Sequence, residues 1–361
     1  MIKGTVARND MYWLGHPDIA LFNNRLYVCF RQSSQHLAPS DTQICITTSD
    51  SKNISKWSLP KVVASGYRFN CPRLSVHQGV LYLICDVIPG GENFIASENG
   101  PDTRIWIWST TNGDDWSEPI KTNIQGIVPD RLFVARNGDL IIGTHTKKYT
   151  YGKHKNAIPV DEASIGSQYA KEDITGKLVQ NVWRSRSISE KWDGPFKVAD
   201  FVSYNFCEGS VFDSNENFIG CMMRENSRRG EPSYYMLSQD FGASWMGPYK
   251  TRMFGCHRPV IGRLKSSRLL TTYREQTHSI NKPYWARNTF ACLSEPDDWK
   301  VANNFVHSII LPLDHDSSPK PDSGYTGWVQ MDDDRICVVN YITDDALRPY
   351  IRYYVIKESD F

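Results

Sequence analysis

Residues 210–245, SVFDSNENFIGCMMRENSRRGEPSYYMLSQDFGASW, contain two patterns that recur along the chain. The first, SVFDSNENFIGCMMR (210–224), has a short strand, a tight polar turn and an apolar strand that ends in a polar residue. Apolar segments on both sides of a turn rich in Asn and Asp are typical of a β-hairpin. The second, SQDFGASW (238–245), has a strand end, a turn with Asp and Gly, and a tryptophan.

The hairpin pattern occurs six times, at intervals of about 60 residues, and the copies span the chain. The second pattern follows each of the first five copies, so one repeat has the length of a four-stranded propeller blade. The hairpins are DIALFNNRLYVCFR (18–31), RLSVHQGVLYLICD (73–86), RLFVARNGDLIIGTH (131–145), SVFDSNENFIGCMMR (210–224), PVIGRLKSSRLLTTYR (259–274) and WVQMDDDRICVVNY (328–341). The tryptophan turns are TTSDSKNISKW (47–57), STTNGDDW (109–116), SRSISEKW (185–192), SQDFGASW (238–245) and SEPDDW (294–299).

We therefore predict an all-β fold, a six-bladed β-propeller with four-stranded antiparallel blades, as a single domain over residues 1–361. After the sixth hairpin the sequence shows one further strand-like segment, YIRYYVIKES (350–359), and no tryptophan turn. The N-terminal strand, GTVAR (4–8), is predicted to close the last blade, because joining the termini in one blade leaves no open sheet edge. Segment 147–177 is polar and lacks strand-like alternation, so we predict a loop over one face of the disc, a candidate substrate lid.

The composition is that of a globular protein, with 40% hydrophobic and 22% charged residues. A formal net charge of +1 argues against nucleic acid or an anionic membrane as a partner. The nine cysteines are scattered without a CxxC pair, which predicts buried thiols and excludes zinc ribbons. No metal-ligand motif is visible, so neither a metal nor another cofactor is predicted. The sequence begins without an apolar core of signal-peptide length, and we expect a cytoplasmic protein.

Polar residues flank the six hairpins at the positions that should converge on the central channel. Burying so many of them is costly unless a ligand, water or partner groups satisfy them, so we predict a binding site there. Before or at the first strands lie His16, Arg73, Asp130, Arg131, Glu208, His257, Arg258 and Tyr325. At the ends of the second strands lie Arg31, Asp86, His145, Arg224, Arg274 and Tyr341.

The turn SQDFGASW (238–245) fits the S-x-D-x-G-x-x-W Asp-box, or BNR repeat, and thereby resembles the sialidase (neuraminidase) superfamily. In such a box the Asp, here Asp240, ties its own turn and the Trp, here Trp245, packs between outer strands. We expect a structural role for both residues.

Two further segments resemble retaining exo-sialidases: CEGSVFDSNENFIGCMMRE (207–225) and SGYTGWVQ (323–330). The resemblance implies that Tyr325 is the nucleophile, that Glu208 takes its proton, and that Arg224 with Arg258 holds the substrate carboxylate. It also implies a carbohydrate partner, a terminal acidic sugar of a glycan. A neutral phenol can attack a carbon that bears a carboxylate better than an anionic carboxylate can. The planar guanidinium group of arginine matches the two oxygens of the substrate carboxylate.

The chain also departs from the sialidase pattern. His16 in GHPDI stands near the usual position of the first clamp arginine, and residues 300–324 contain no arginine where another is expected. Arginines elsewhere in the ring are candidate substitutes: Arg31, Arg73 and Arg258. For the acid/base residue, the loop after FRQ offers Asp41 or, less conventionally, His36.

Other readings remain open from the sequence. A polysaccharide lyase, or a hydrolase for another acidic sugar, would use a channel histidine and tyrosine. The third reading is a non-catalytic glycan-binding propeller, since a fold does not fix a function. Further substrate-binding candidates in the channel are His16, His145, His257 and Arg274.

Overall fold

Six antiparallel sheets make up the part of the chain that the computed structural model describes. That part comprises residues 1–37, 41–88, 103–147, 177–201, 203–215, 217–227, 230–277, 286–301 and 305–361. The first strands of most neighbouring sheets pack against one another. The predicted six-bladed all-β propeller is therefore confirmed, whereas the candidate lid in segment 147–177 lies, apart from its two end residues, outside the described residues.

Each blade runs from an inner strand at the channel to an outer strand at the rim. The first three blades contain β2 (Trp13–Phe22), β3 (Arg25–Ser33), β4 (Gln43–Asp50) and β5 (Lys61–Ala64); β7 (Arg73–His77), β8 (Val80–Ile88), β9 (Arg104–Thr110) and β10 (Ile120–Gln125); and β11 (Phe133–Val134), β12 (Leu140–Lys147), β13 (Leu178–Ser185) and β14 (Asp193–Ala199). The last three contain β15 (Phe206–Asn215), β16 (Phe218–Glu225), β17 (Pro232–Ser238) and β18 (Met246–Phe254); β19 (Cys256–Arg263), β20 (Leu269–Thr277), β21 (Ala286–Ser294) and β22 (Ile309–His315); and β23 (Gly324–Gln330), β24 (Ile336–Ile342), β25 (Tyr350–Ile356) and β1 (Ile2–Ala7). A short strand, β6 (Arg68–Phe69), also pairs with β8, and two single-turn 3₁₀ helices span Pro296–Asp298 and Glu358–Asp360.

The inner hairpins turn where the sequence predicts. In blade 1, Phe22 pairs with Arg25 across Asn23 and Asn24, whose φ angles are 49° and 61°. Positive φ at both central positions gives a turn that matches the twist of the strands, and Asn tolerates this conformation better than most residues. The short polar turns thus fix the register of the hairpins.

Apolar side chains fill the space between blades. Ile19 and Val28 of blade 1 belong to the same buried cluster as Val339 and Ile351 of blade 6. The nine cysteines are all free and buried, as the sequence predicts. The last blade is therefore packed against the first, and the ring is closed.

The tryptophan turn of blade 4 is tied by its aspartate. Asp240 accepts hydrogen bonds from the backbone and the hydroxyl of Ser244, at 2.8 and 2.5 Å, and from Ser238 at 2.8 Å. Trp245 packs against the apolar cluster shared by blades 3 and 4. These contacts stabilise the turn between β17 and β18.

The chain termini meet in one blade. Strand β1 pairs antiparallel with β25, with Ile2 opposite Val355 and Ala7 opposite Ile351. Val6 and Ala7 are buried against the cluster between blades 6 and 1. The predicted closure of the last blade by the N-terminal strand is confirmed.

Deletion of residues 1–8 is expected to destabilise the whole protein, because it removes the outer strand of the last blade and exposes the edge of β25. We expect one cooperative thermal transition, followed by circular dichroism, at a clearly lower temperature. The control is Ile2→Ser, since Ile2 is 63% exposed at the end of the same strand and should change the transition little. A truncated protein that melts like the full chain would contradict the closure.

Candidate active site

A β-bulge recurs near the start of the inner strands. In blade 4, Cys207 pairs with Arg224 and Ser210 with Met222, so β15 has one residue more than β16 over this stretch. Blades 1, 5 and 6 show the same shift. Four residues in these bulges have φ angles between 39° and 53°, a left-handed conformation that is uncommon outside glycine. They are His16, Glu208, Arg258 and Tyr325.

In blades 2 and 3 the same register position is held by Cys71 and Val128. Val128 has a φ of 51°, like the bulge residues of the other blades. Arg73 and Asp130, which are predicted at this position from the sequence, lie two residues further along the chain. A bulge changes which side chains face the channel, and the hairpin pattern alone does not show where it falls.

A second ring of polar residues lies across from the bulges, on the second strands. The backbone pairings place there all six residues that the hairpin pattern put at these strand ends. They are Arg31, Asp86, His145, Arg224, Arg274 and Tyr341.

Tyr325, Glu208 and Arg224 meet in the channel. The Tyr325 hydroxyl donates to Glu208 Oε1 over 2.5 Å, and Arg224 Nη1 donates to the same oxygen over 2.8 Å. Burial alone would raise the pKa of Glu208, but the charges of Arg224 and Arg274 and the hydrogen bond from Tyr325 lower it from 4.5 to about 2. Glu208 is therefore ionised at neutral pH and positioned to accept the phenol proton.

His16 and Arg274 pack against the Tyr325 ring. His16 stacks on it with ring centroids 4.5 Å apart, and the Arg274 guanidinium lies 5.3 Å from its centroid. Burial and the charge of Glu208 raise the pKa of Tyr325 well above 10, although Arg274 and Arg224 oppose this. Tyr325 is thus a neutral phenol at physiological pH and reacts only if a base removes its proton.

Two channel histidines contact residues of the site through Nδ1. His145 Nδ1 accepts the backbone N–H of Glu208 over 3.2 Å, and burial lowers the pKa of His145 to about 4. His257 Nδ1 lies 3.1 Å from Arg274 Nη2. Burial and the charge of Arg31 lower the pKa of His16 well below 6.5, so His16 and His145 are uncharged near neutrality.

A second charged cluster lies beside the Tyr325–Glu208 pair and combines His36 with three residues that were not predicted from the sequence, Asp322, Arg287 and Trp13. Asp322 accepts hydrogen bonds from His36 Nδ1 at 2.9 Å, Arg287 Nη1 at 2.6 Å and Trp13 Nε1 at 2.8 Å. Burial would raise the pKa of Asp322, but His36 and Arg287 hold it well below its usual range. The sequence feature that could have identified Asp322 is its position, three residues before Tyr325.

Arg73 and Arg258 are engaged inside the channel wall. Arg258 donates to the carbonyl oxygen of Pro129 over 2.6 Å. Arg73 donates to the carbonyl oxygen of Thr326 over 3.1 Å. Both side chains are buried, and no described hydrogen bond joins either of them to the Tyr325–Glu208 pair. Their assignment as substrate ligands stays a prediction.

Asp41 lies on the surface. Its carboxylate accepts the backbone N–H of Ser34 over 3.2 Å and the Ser34 hydroxyl over 3.4 Å. None of the described contacts connects Asp41 to the channel residues. The other candidate from the same loop, His36, lies at the channel mouth with its ring centroid 5.5 Å from that of His16.

Below the bulges, a buried ion cluster fills the channel. Asp18 is fully buried, accepts Arg131 Nε over 2.9 Å and the backbone N–H of Leu74 over 3.0 Å, and lies 3.5 Å from Arg73 Nη1. Burial would raise the pKa of Asp18, but the charges of Arg131 and Arg73 lower it. These residues of blades 1, 2 and 3 act as a structural plug.

The site above the plug carries more positive than negative groups. Its arginines are Arg31, Arg224, Arg274 and Arg287, and its strongly ionised carboxylates are Glu208 and Asp322. An excess of guanidinium groups in a partly buried site favours an anionic ligand, and their planar forks suit a carboxylate. The site can therefore bind an acidic group of a ligand next to Tyr325, whose hydroxyl is hydrogen-bonded to Glu208.

The described residues contain no group of three or more His, Cys, Asp or Glu side chains arranged to hold a metal ion. No helix among them has the length and hydropathy needed to cross a membrane.

The sequence matches no family model and no curated protein. Among solved structures, a Dyadobacter fermentans protein of unknown function has a TM-score of 0.76 and 15% identity, covering 98% of this chain and 97% of that one. The Hadza microbial sialidase Hz136 has a TM-score of 0.69 and 16% identity, covering 97% of this chain and 66% of that one. Trypanosoma rangeli sialidase in complex with sialic acid has a TM-score of 0.61 and 13% identity, covering 94% and 54%.

These similarities establish the fold. The chain has the six-bladed propeller found in sialidases, and it spans about half of the T. rangeli enzyme but nearly all of the D. fermentans protein. At identities of 12 to 16%, they do not extend to an activity.

Proposed function

We propose that this protein is a retaining exo-glycosidase that removes a terminal acidic sugar, of the sialic acid type, from a glycan. The observation that carries the proposal is the 2.5 Å hydrogen bond from Tyr325 to Glu208, with Arg224 bound to the same carboxylate oxygen. The occurrence of this fold in sialidases supports the sugar class.

The chemistry follows from the charge of the substrate. A sialic acid carries a carboxylate on its anomeric carbon, which would repel an anionic nucleophile but not a neutral phenol. As Tyr325 Oη bonds to the anomeric carbon, its proton passes to Glu208 Oε1, and the glycosidic bond breaks with its electron pair on the leaving oxygen, which takes a proton from an acid group of the site. A water molecule then gives a proton back to that group, its oxygen bonds to the anomeric carbon in place of Tyr325, and Glu208 returns the phenol proton to Tyr325. Two displacements retain the anomeric configuration.

The substrate carboxylate would be held by arginines beside this pair. Arg224 uses Nη1 for Glu208, which leaves the rest of its fork for a ligand. Arg274 is fixed by the carbonyl oxygen of Ser323 at 3.2 Å and by His257, so its guanidinium is held beside the Tyr325 ring. Both positive charges would also stabilise the phenolate character that develops during attack.

The direct test is hydrolysis of the 4-nitrophenyl α-ketoside of N-acetylneuraminic acid, with a neutral 4-nitrophenyl hexoside as control. We expect release of nitrophenol from the acidic substrate alone, and proton NMR should show the α-anomer as the first product. An unsaturated product that absorbs in the near ultraviolet would indicate a lyase. Binding without turnover would indicate a glycan-binding propeller, and either result would contradict the proposal.

Arg224→Lys is expected to raise KM for the acidic substrate about tenfold with little change in thermal stability. Lysine keeps the charge, but it cannot hold Glu208 and a substrate carboxylate with the same planar fork. The control is Arg268→Lys, because Arg268 bonds to Glu358 on the opposite face of the disc and should leave KM unchanged. An unchanged KM in Arg224→Lys would exclude Arg224 as a carboxylate ligand.

A further inference from the structure

We propose that His36, held by Asp322, is the general acid and base of this reaction, an inference that rests on the proposed glycosidase function. A glycosidase must protonate the departing glycosidic oxygen and later deprotonate the attacking water. The Tyr325–Glu208 pair cannot do this, since Glu208 is ionised and serves to take the phenol proton.

His36 lies at the right place in the pocket. The rings of Tyr325, His16 and His36 follow one another, with centroid distances of 4.5 Å and then 5.5 Å. His16 thus contacts both the nucleophile and His36. The His36 side chain is 41% exposed, so it can reach a leaving group that projects toward solvent.

Asp322 determines which ring nitrogen of His36 carries a proton. The carboxylate is kept ionised by Arg287 and Trp13 as well as by His36. An ionised carboxylate 2.9 Å from Nδ1 requires that this nitrogen carry a proton. The second ring nitrogen, Nε2, is then the one that gains and loses a proton, and no described residue forms a hydrogen bond with it.

Arg31 fixes the backbone that carries His36. It donates one hydrogen bond to the carbonyl oxygen of His36 and another, at 3.0 Å, to Asn70 Oδ1 in blade 2. Its guanidinium also lies 4.6 Å from the Trp13 ring centroid. Arg31 is therefore a positioning residue for the acid/base group.

The proton balance closes over two steps. In the first, His36 Nε2 gives its proton to the glycosidic oxygen as the bond to the anomeric carbon breaks and the electron pair leaves with that oxygen. In the second, a water molecule gives a proton to Nε2, its oxygen bonds to the anomeric carbon, and the bond to Tyr325 breaks. Glu208 returns the phenol proton, and the net reaction consumes one water.

The test compares two leaving groups, since nitrophenolate departs without a proton and methoxide does not. The substrates are the 4-nitrophenyl and methyl α-ketosides of N-acetylneuraminic acid. We expect His36→Ala to lower kcat/KM about a hundredfold or more for the methyl ketoside and less than about fivefold for the nitrophenyl ketoside. Asp322→Asn should show the same pattern more weakly, and Asp41→Ala, the matched control, should change neither rate.

Several results would overturn the assignment of His36. An equal loss on both substrates would make His36 a structural residue, and no loss would remove it from the reaction. A leaving-group-dependent loss in Asp41→Ala would move the role to Asp41. If the wild-type protein, with an unchanged melting temperature, hydrolysed neither ketoside, the proposed function would fail and the acid/base role with it. Wild-type activity that depends on Tyr325 but not on His36 would overturn the acid/base role alone.

Discussion

Tyr325→Phe is expected to lower kcat/KM on an acidic ketoside by about two orders of magnitude or more while the protein stays folded. The substitution keeps the ring, with its contacts to His16 and Arg274, and deletes only the oxygen that bonds to Glu208. Glu208→Gln should cause a similar loss, because the phenol then has no base. The double variant should be little worse than either single variant, since the two residues act as one unit.

The control for this experiment is Tyr82→Phe, a half-buried tyrosine on β8 away from the site, which should leave the kinetics unchanged. Thermal melting of each variant separates loss of activity from loss of structure. If Tyr325→Phe kept most of the activity while substitution of His16, His145 or His257 abolished it, a histidine-based mechanism would replace the tyrosine-based one.

Asp18→Ala is expected to lower the free energy of unfolding by about 3–5 kcal/mol, because it leaves Arg131 and Arg73 buried without a counter-charge. The effect is measured by urea denaturation. The folded-state pKa of Asp18 lies below its unfolded value near 3.8, so this stabilisation is present above that pH and is lost as the pH falls through the folded pKa.

Asp213→Ala is the matched control, since Asp213 pairs with Arg136 at the surface. An exposed ion pair of this kind contributes at most about 1 kcal/mol. If both variants unfolded at the same urea concentration, the cluster around Asp18 would not stabilise the channel.

The repeat made most of the fold predictable. Tight turns such as Asn23-Asn24 and alternating strands fix the hairpins locally, and six repeats of the length of one blade favour a closed ring in which neighbouring blades pack against one another. The same logic brings Glu208 near Tyr325, because both stand at the start of an inner strand. The ring, rather than sequence distance, determines which residues meet.

The rest of the site depends on features without a periodic signal. Asp322 lies in a connection and Arg287 at the start of a third strand, where strand alternation does not fix the direction of a side chain toward the channel. The role of Arg258 as a substrate ligand stays a prediction, because the sequence does not distinguish a buried guanidinium that donates to carbonyl oxygens from one that faces a ligand. The bulges put Cys71 and Val128, rather than charged residues, at the channel in blades 2 and 3.

At each bulge, the strand pairing does not depend on which side chain faces the channel. Since the extra residue lies outside the regular ladder, its identity can change without shifting the register of the strands on either side. Each blade therefore has one position at the floor of the pocket whose side chain is not fixed by the strand pairing, and the six positions form a circle. Cys71 and Val128 are apolar occupants of two of them, so new specificity can evolve there by single substitutions while the scaffold is inherited unchanged.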